Sequence, residues 1–128
     1  MLILFRSDNC WKNSTCILAP KTAQGVSETL RIVTSAGSKF SICSGGHNFN
    51  VNSSSIGTGV LIDLSQLNQI SLSTPKDTVT FGPTSSFENV YQMLHGMGVS
   101  VQGTKNTALS AGGVILGGRF RSFIVLYR

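Results

Sequence analysis

In the run Ser44-Gly45-Gly46-His47-Asn48, two adjacent glycines stand between an apolar segment, Phe40-Ser41-Ile42-Cys43, and a histidine. Without a Cβ, such a pair turns with positive φ and lets backbone lie close to a ligand. Successive amides in a turn of this kind converge into a concavity suited to an anion. A histidine directly after it adds a nucleophile or proton carrier at the anion's side. The plainer reading is a strand-ending turn with a surface histidine, because Gly-Gly is common punctuation. A second stretch, residues 102–118, is rich in Gly, Ala, Ser and Thr and carries Val114-Ile115-Leu116 between two Gly-Gly pairs. Small residues at this density suit backbone packed tightly against a ligand or another element. The apolar trio argues against a flexible linker.

Other chemistries fall away on spacing. A phosphate loop of the Walker type needs lysine directly after its last glycine, and Thr104 separates Gly103 from Lys105. A dinucleotide turn would need a third glycine after Gly57 and Gly59, where Ile62 stands and an apolar run follows. No Gly-x-Ser-x-Gly elbow occurs. His47 and His95 are far apart with no acidic cluster, so no metal site is expected. His95 falls at an expected helix end, where an imidazolium suits the dipole. Three cysteines, Cys10, Cys16 and Cys43, leave at least one unpaired. Cys10 and Cys16 could bridge in an oxidising compartment.

The chain is long enough, at 128 residues, for a real core, and 41% of them are hydrophobic. Only 12% are charged, about half the usual share, so the surface must be rich in uncharged polar groups or partly covered. The sequons Asn13-Ser14-Thr15 and Asn52-Ser53-Ser54 fit a secretory-pathway protein. The net charge of +5 comes from scattered basic residues without a run, a helical stripe or interleaved aromatics, which argues against nucleic acid. The apolar start, Met1-Leu2-Ile3-Leu4-Phe5, stops at Arg6, too short for a signal peptide or a membrane span.

Several elements must position these residues. Thr22 after Pro20 reads as an N-cap, with Val26, Leu30 and Val33 at helical spacing and Ile32 widening the stripe. Gly37 should close that helix in a left-handed C′ position. Phe40 to Cys43 follows as a buried strand, with the glycine turn at its carboxyl end, the edge where ligands sit in open α/β sheets. Residues 48–58 read as a loop, and Val60-Leu61-Ile62-Asp63-Leu64 as a second buried strand. Gln69 to Leu72 and Thr78 to Phe81 form a hairpin around Thr74-Pro75-Lys76-Asp77. Ser85 and Glu88 read as a capping box, ahead of a helical face of Phe87, Val90, Tyr91 and Leu94 that Gly96 ends. Val99 to Val101 is expected as a further strand.

Taken in order, these pieces resemble the FAD-binding, PCMH-type domain of the vanillyl-alcohol oxidase/p-cresol methylhydroxylase flavoproteins, most nearly its berberine-bridge-enzyme-like, fungal secreted branch. Cys16-Ile17-Leu18-Ala19-Pro20 before a helix is similar to that family's "CI-x-x-P" segment. Ser44-Gly45-Gly46-His47 resembles its pyrophosphate loop. Residues 59–68, Gly59-Val60-Leu61-Ile62-Asp63-Leu64-Ser65-Gln66-Leu67-Asn68, resemble its "GGVLIDLSRLN" strand. Gly112-Gly113-Val114-Ile115-Leu116-Gly117-Gly118 is similar to its second flavin segment.

The resemblance implies an α+β fold: a small mixed or parallel sheet with helices, then antiparallel strands, in an incomplete PCMH-type domain. It implies an N-terminal segment over 1–15, the partial FAD-binding domain over 16–118 and a divergent tail over 119–128. The implied activity is that of an FAD-dependent oxidoreductase, with FAD as cofactor and a small-molecule substrate. Cys43, Ser44, Gly45, Gly46, His47 and Asn48 would hold the pyrophosphate, and His47 would be joined to the flavin 8α-methyl. Ser110, Gly112, Gly113, Gly117 and Gly118 would approach the cofactor from the second segment. Departures are Cys43 where a basic residue is frequent, Asn106 where many members carry a second flavin-linking cysteine, and Thr107, Ser110 and Arg119 in place of glycines. At most a single histidyl linkage is therefore expected. The substrate domain and the rest of the flavin domain would lie beyond this chain. A fragment is expected, and a non-catalytic remnant without flavin is the rival reading.

Overall fold

Residues 12–118 are described by a computed structural model. They divide at Leu67 and Asn68 into two units, each with its own sheet. The first unit runs β1 (Cys16–Leu18), α1 (Ala23–Ser35), β2 (Phe40–Cys43) and β3 (Val60–Asp63). Its three strands are parallel in the order β1-β3-β2. The central strand β3 is an apolar run, as buried parallel strands are, and its Leu61, Ile62 and Asp63 are all buried. Register sets Cys16 and Phe40 beside Val60, and Cys43 beside Asp63. The short strand β1 escapes sequence reasoning, because three residues before a proline carry no period.

α1 starts where expected. Thr22 is extended, and its hydroxyl accepts the Gly25 N–H at 3.0 Å. The helix ends at Ala36, and Gly37 follows at φ 61°, the left-handed stop foreseen from the sequence. Val33 is buried, but Ile32 is 64% exposed and does not widen the stripe. A residue one step along a helix turns about 100° away from its neighbour's face.

The connection from β2 to β3 packs its polar groups on itself. Ser41 Oγ donates to the Ser53 carbonyl at 2.8 Å, and Ser53 Oγ to that of Asn50 at 2.6 Å. Gly59, at φ 144°, brings the chain into β3, where a Cβ would collide with the Lys39 carbonyl oxygen. That carbonyl accepts the Val60 N–H at 3.0 Å.

The second unit holds β4 (Ile70–Leu72), antiparallel to β5 (Val79–Phe81), then α2 (Phe87–Leu94) and α3 (Ala111–Leu116). The hairpin turn has Lys76 at φ 60°, and Ser73 Oγ donates to Asp77 at 2.7 Å. That bond, with one from Thr78, holds the Asp77 carboxyl below its ordinary range. Phe87, Ala111 and Val114 form the core, with Phe81, Tyr91 and Leu109 packed against it. Gly103 lies so close to Phe87 and Tyr91 that a Cβ there would overlap the Phe87 ring and the Tyr91 hydroxyl.

Two expectations are corrected here. The α2 cap is Ser86, whose hydroxyl accepts the Asn89 N–H at 3.2 Å, so Glu88 does not sit at the third helical position of a box. Ser85 is instead buried and donates to the Gln69 carbonyl at 3.4 Å. Residues 99–101 form no strand, because no neighbouring strand pairs with them among the described residues. α3 is an addition: glycine disfavours helix, yet Gly112 sits in one because its N–H donates to the Pro83 carbonyl at 2.9 Å. Cys10 and Arg119 lie outside the described residues, as do 1–11 and 119–128 generally.

Candidate functional site

β2 delivers its last residue, Cys43, fully buried, and the chain then turns through Ser44 and Gly45 to Gly46. Gly46 is buried and left-handed at φ 62°, a conformation that a side chain resists. The turn lies at the carboxyl edge of the parallel sheet, as its sequence position requires. Its base is tied to β3, since the Leu64 N–H donates to the Cys43 carbonyl at 2.9 Å.

His47 follows, half-buried, with Nδ1 buried. Its ring meets Phe49 edge-on at 6.0 Å and 61°. Asn48 is exposed and closes a small side-chain turn, its Oδ1 accepting the Asn50 N–H at 3.0 Å. The geometry is a left-handed glycine cradle with an imidazole at its rim, able to receive an anion and to hold a reactive nitrogen beside it.

One group here is absent from the sequence reading of the site. Asp63, 1% exposed, stands opposite Cys43 in the β2–β3 register and accepts both the Ser65 N–H and the Ser65 hydroxyl at 3.0 Å. A lone carboxylate inside the apolar run of residues 60–64 was the signal available for it. Burial, and then the Asp63 carboxylate, push the Cys43 thiol up to about 11, while the Gly46 amide opposes them. Being wholly buried, Cys43 reaches a ligand only through the turn it supports.

The second group of expected residues lies in the second unit. Ser110 is the N-cap of α3, Gly112 and Gly113 are in its first turn, Gly117 is its C-cap and Gly118 is left-handed at φ 64°. Packing within the unit explains two of these glycines. A Cβ on Gly112 would press on Pro83 at 3.0 Å, and one on Gly117 would lie 2.8 Å from the Gly113 carbonyl. The Gly117 and Gly118 amides donate to the Gly113 and Ile115 carbonyls at 3.1 Å. Asn106, where a second flavin-linking cysteine is frequent, accepts the Ala108 N–H at 3.3 Å and shapes the turn before α3.

The profile of the FAD binding domain family matches residues 14–127. The chain belongs to that family. This FAD-binding chain is 44% identical over 112 residues to the FAD-dependent monooxygenase macF of Penicillium terrestre, a match covering 87% of it and 22% of that relative. It is 42% identical over 118 residues to the FAD-dependent monooxygenase yanF of Aspergillus niger, covering 91% and 20%. The chain thus spans about a fifth of the length of these curated relatives. Among solved structures it is similar to aclacinomycin oxidoreductase, with a TM-score of 0.68 and 25% identity, over 81% of this chain and 21% of that one. The α+β, PCMH-type architecture and the FAD cofactor expected from the sequence are both met. No helix among the described residues is long and apolar enough to cross a membrane.

Proposed function

We propose that this chain supplies the pyrophosphate loop and the tethering histidine of a fungal FAD-dependent oxidoreductase. The observation that carries the proposal is the left-handed, buried Gly46 with His47 beside it, at the carboxyl edge of a parallel sheet in a chain of an FAD-binding family. The cradle fits the group: its backbone is bent so that amides can gather round an anion, and no side chain at Gly45 or Gly46 stands in the way. Ser44, Gly45, Gly46 and Asn48 hold the phosphates, and Cys43 braces them from below. His47 is joined through an imidazole nitrogen to the flavin 8α carbon, a role open to an imidazole because it is partly neutral near pH 7. Ser110, Gly112, Gly113, Gly117 and Gly118 are further cofactor contacts within the FAD-binding region 16–118. Bound FAD supplies the acceptor for a hydride from a substrate carbon. That activity belongs to the whole protein, of which the FAD-dependent monooxygenases macF and yanF are relatives. The exposed sequon asparagines, Asn13 and Asn52, favour a secreted protein.

The test is colour. The purified chain loaded with FAD should stay yellow after denaturation and gel filtration, and His47→Ala should lose that retained colour. Colour kept by His47→Ala would show that His47 is not the attachment point.

A second reading, a chain that keeps no flavin, draws on the Gly112, Gly117 and Gly118 amides, which are spent on carbonyls of their own unit. It expects no quenching of flavin fluorescence when the chain is added at micromolar concentration.

A further inference from the structure

β3 ends on Asp63, and both oxygens of that carboxylate are used on one neighbour. Oδ1 accepts the Ser65 N–H and Oδ2 the Ser65 hydroxyl, each at 3.0 Å. A side-chain oxygen that takes an N–H two residues on closes a tight local turn. The chain bends at once after the strand, and the Leu67 N–H closes on the Leu64 carbonyl at 2.8 Å. Leu64 is held between these two bends. Its own N–H donates to the Cys43 carbonyl at 2.9 Å, one step beyond the Cys43–Asp63 pair of the sheet. That carbonyl belongs to the peptide that opens the glycine turn, since Ser44 follows it. Bonds at the end of a strand open readily unless the chain beyond them is fixed. Two consecutive glycines add little stiffness of their own, and a loop that its ligand must order binds that ligand more weakly. A carboxylate near a turn that receives phosphates has the wrong sign to attract them, which leaves geometry as its contribution.

We propose, on the loop assignment made above, that Asp63 is a positioning residue for the FAD pyrophosphate: its clip on Ser65 fixes Leu64, and Leu64, through the Cys43 carbonyl, fixes the point at which the glycine turn leaves the sheet. Asp63 is 1% exposed and makes no cofactor contact of its own. Asparagine can make the same two bonds, its oxygen accepting the Ser65 N–H and its amide donating to the Ser65 hydroxyl, whereas alanine makes neither.

The full chain tests this with two readouts, FAD affinity by flavin fluorescence and hydrogen exchange at the Leu64 amide by NMR. Asp63→Ala should weaken FAD binding about tenfold, the size of one to two net hydrogen bonds, and speed Leu64 exchange by a similar factor. Asp63→Asn should hold both within about twofold of the original. If Asp63→Asn weakens FAD binding as far as Asp63→Ala does, charge and not the clip is what matters, and the proposal is overturned. Exchange at Ile62, in the middle of the sheet, reports whether each variant remains folded. If Asp63→Ala loses protection there, Ser65→Ala takes its place: it removes one bond of the clip at a half-buried position and should weaken FAD binding about fivefold. Unchanged Leu64 exchange in the folded variant that lacks the clip overturns the proposal. So does unchanged FAD affinity in that variant while Gly46→Ala weakens binding, a result that leaves the loop assignment standing. If Gly46→Ala binds FAD as the original does, or the original binds none, the loop assignment itself fails and takes this inference with it.

Discussion

Cys43 and Asp63 face each other at the carboxyl end of two parallel strands, directly behind the glycine turn. A buried thiol beside a carboxylate has a pH signature. Its pKa rises from 9.0 to about 11 on folding, so the protonated form is the one that the fold favours. The stability this contributes is fully present below pH 9 and is lost as pH climbs from 9 to about 11. Cys43→Ser removes the titrating group. The urea stability of the original chain should therefore fall relative to Cys43→Ser across that window and run parallel to it from pH 6 to 8. A flat difference up to pH 11 would mean that the thiol is not desolvated.

At the scale of the element, α1 and α2 are both fixed by their first residues. The Thr22 hydroxyl satisfies an otherwise orphaned N–H of α1, so Thr22→Ala should cost about 1 kcal/mol in urea unfolding. Loss of less than a few tenths would show that the cap contributes little. Gly103 makes a different demand. Its backbone lies against Phe87 and Tyr91 on the inner face of α2, and Gly103→Ala should destabilise the second unit by about 1–3 kcal/mol, the usual range for overpacking. Near-UV circular dichroism should register the disturbed Tyr91 as well, and an unchanged spectrum and stability would refute the close approach. The cap of α2 shows what local rules miss. Ser85-x-x-Glu88 satisfies the capping pattern as well as any four residues do, yet Ser85 is buried with its hydroxyl on the Gln69 carbonyl, and the cap falls one residue on at Ser86.

For the whole molecule, the family match runs through both units, from residue 14 to residue 127. The surface carries few charges and several exposed apolar side chains, with Leu116 91% exposed. Asn13 and Asn52 are both exposed, and Asn52 sits at φ 65° in a turn, a conformation that asparagine tolerates. Routed through a secretory host, the chain should gain two glycans, each removed by a glycosidase and each abolished by Asn13→Gln or Asn52→Gln. A single unshifted band on a gel would count against the secretory reading.

The sequence by itself determined that residues 40–43 and 60–63 are strands, helix α1 with its Thr22 cap and Gly37 stop, the hairpin, and the glycine turn with its histidine. All of these rest on short-range physics: apolar runs, helical spacing, and glycine where a side chain would strain the backbone. Tertiary structure alone decided the rest. It set β1 beside β3, turned Ile32 outward, made a helix of a Gly-Gly segment by packing it on Pro83, and left residues 99–101 unpaired. It also buried Cys43 and placed Asp63 beside it, twenty positions on in the sequence, which together push the thiol's pKa up. Each of these outcomes depends on which distant residue fills the neighbouring space, and no local pattern encodes that.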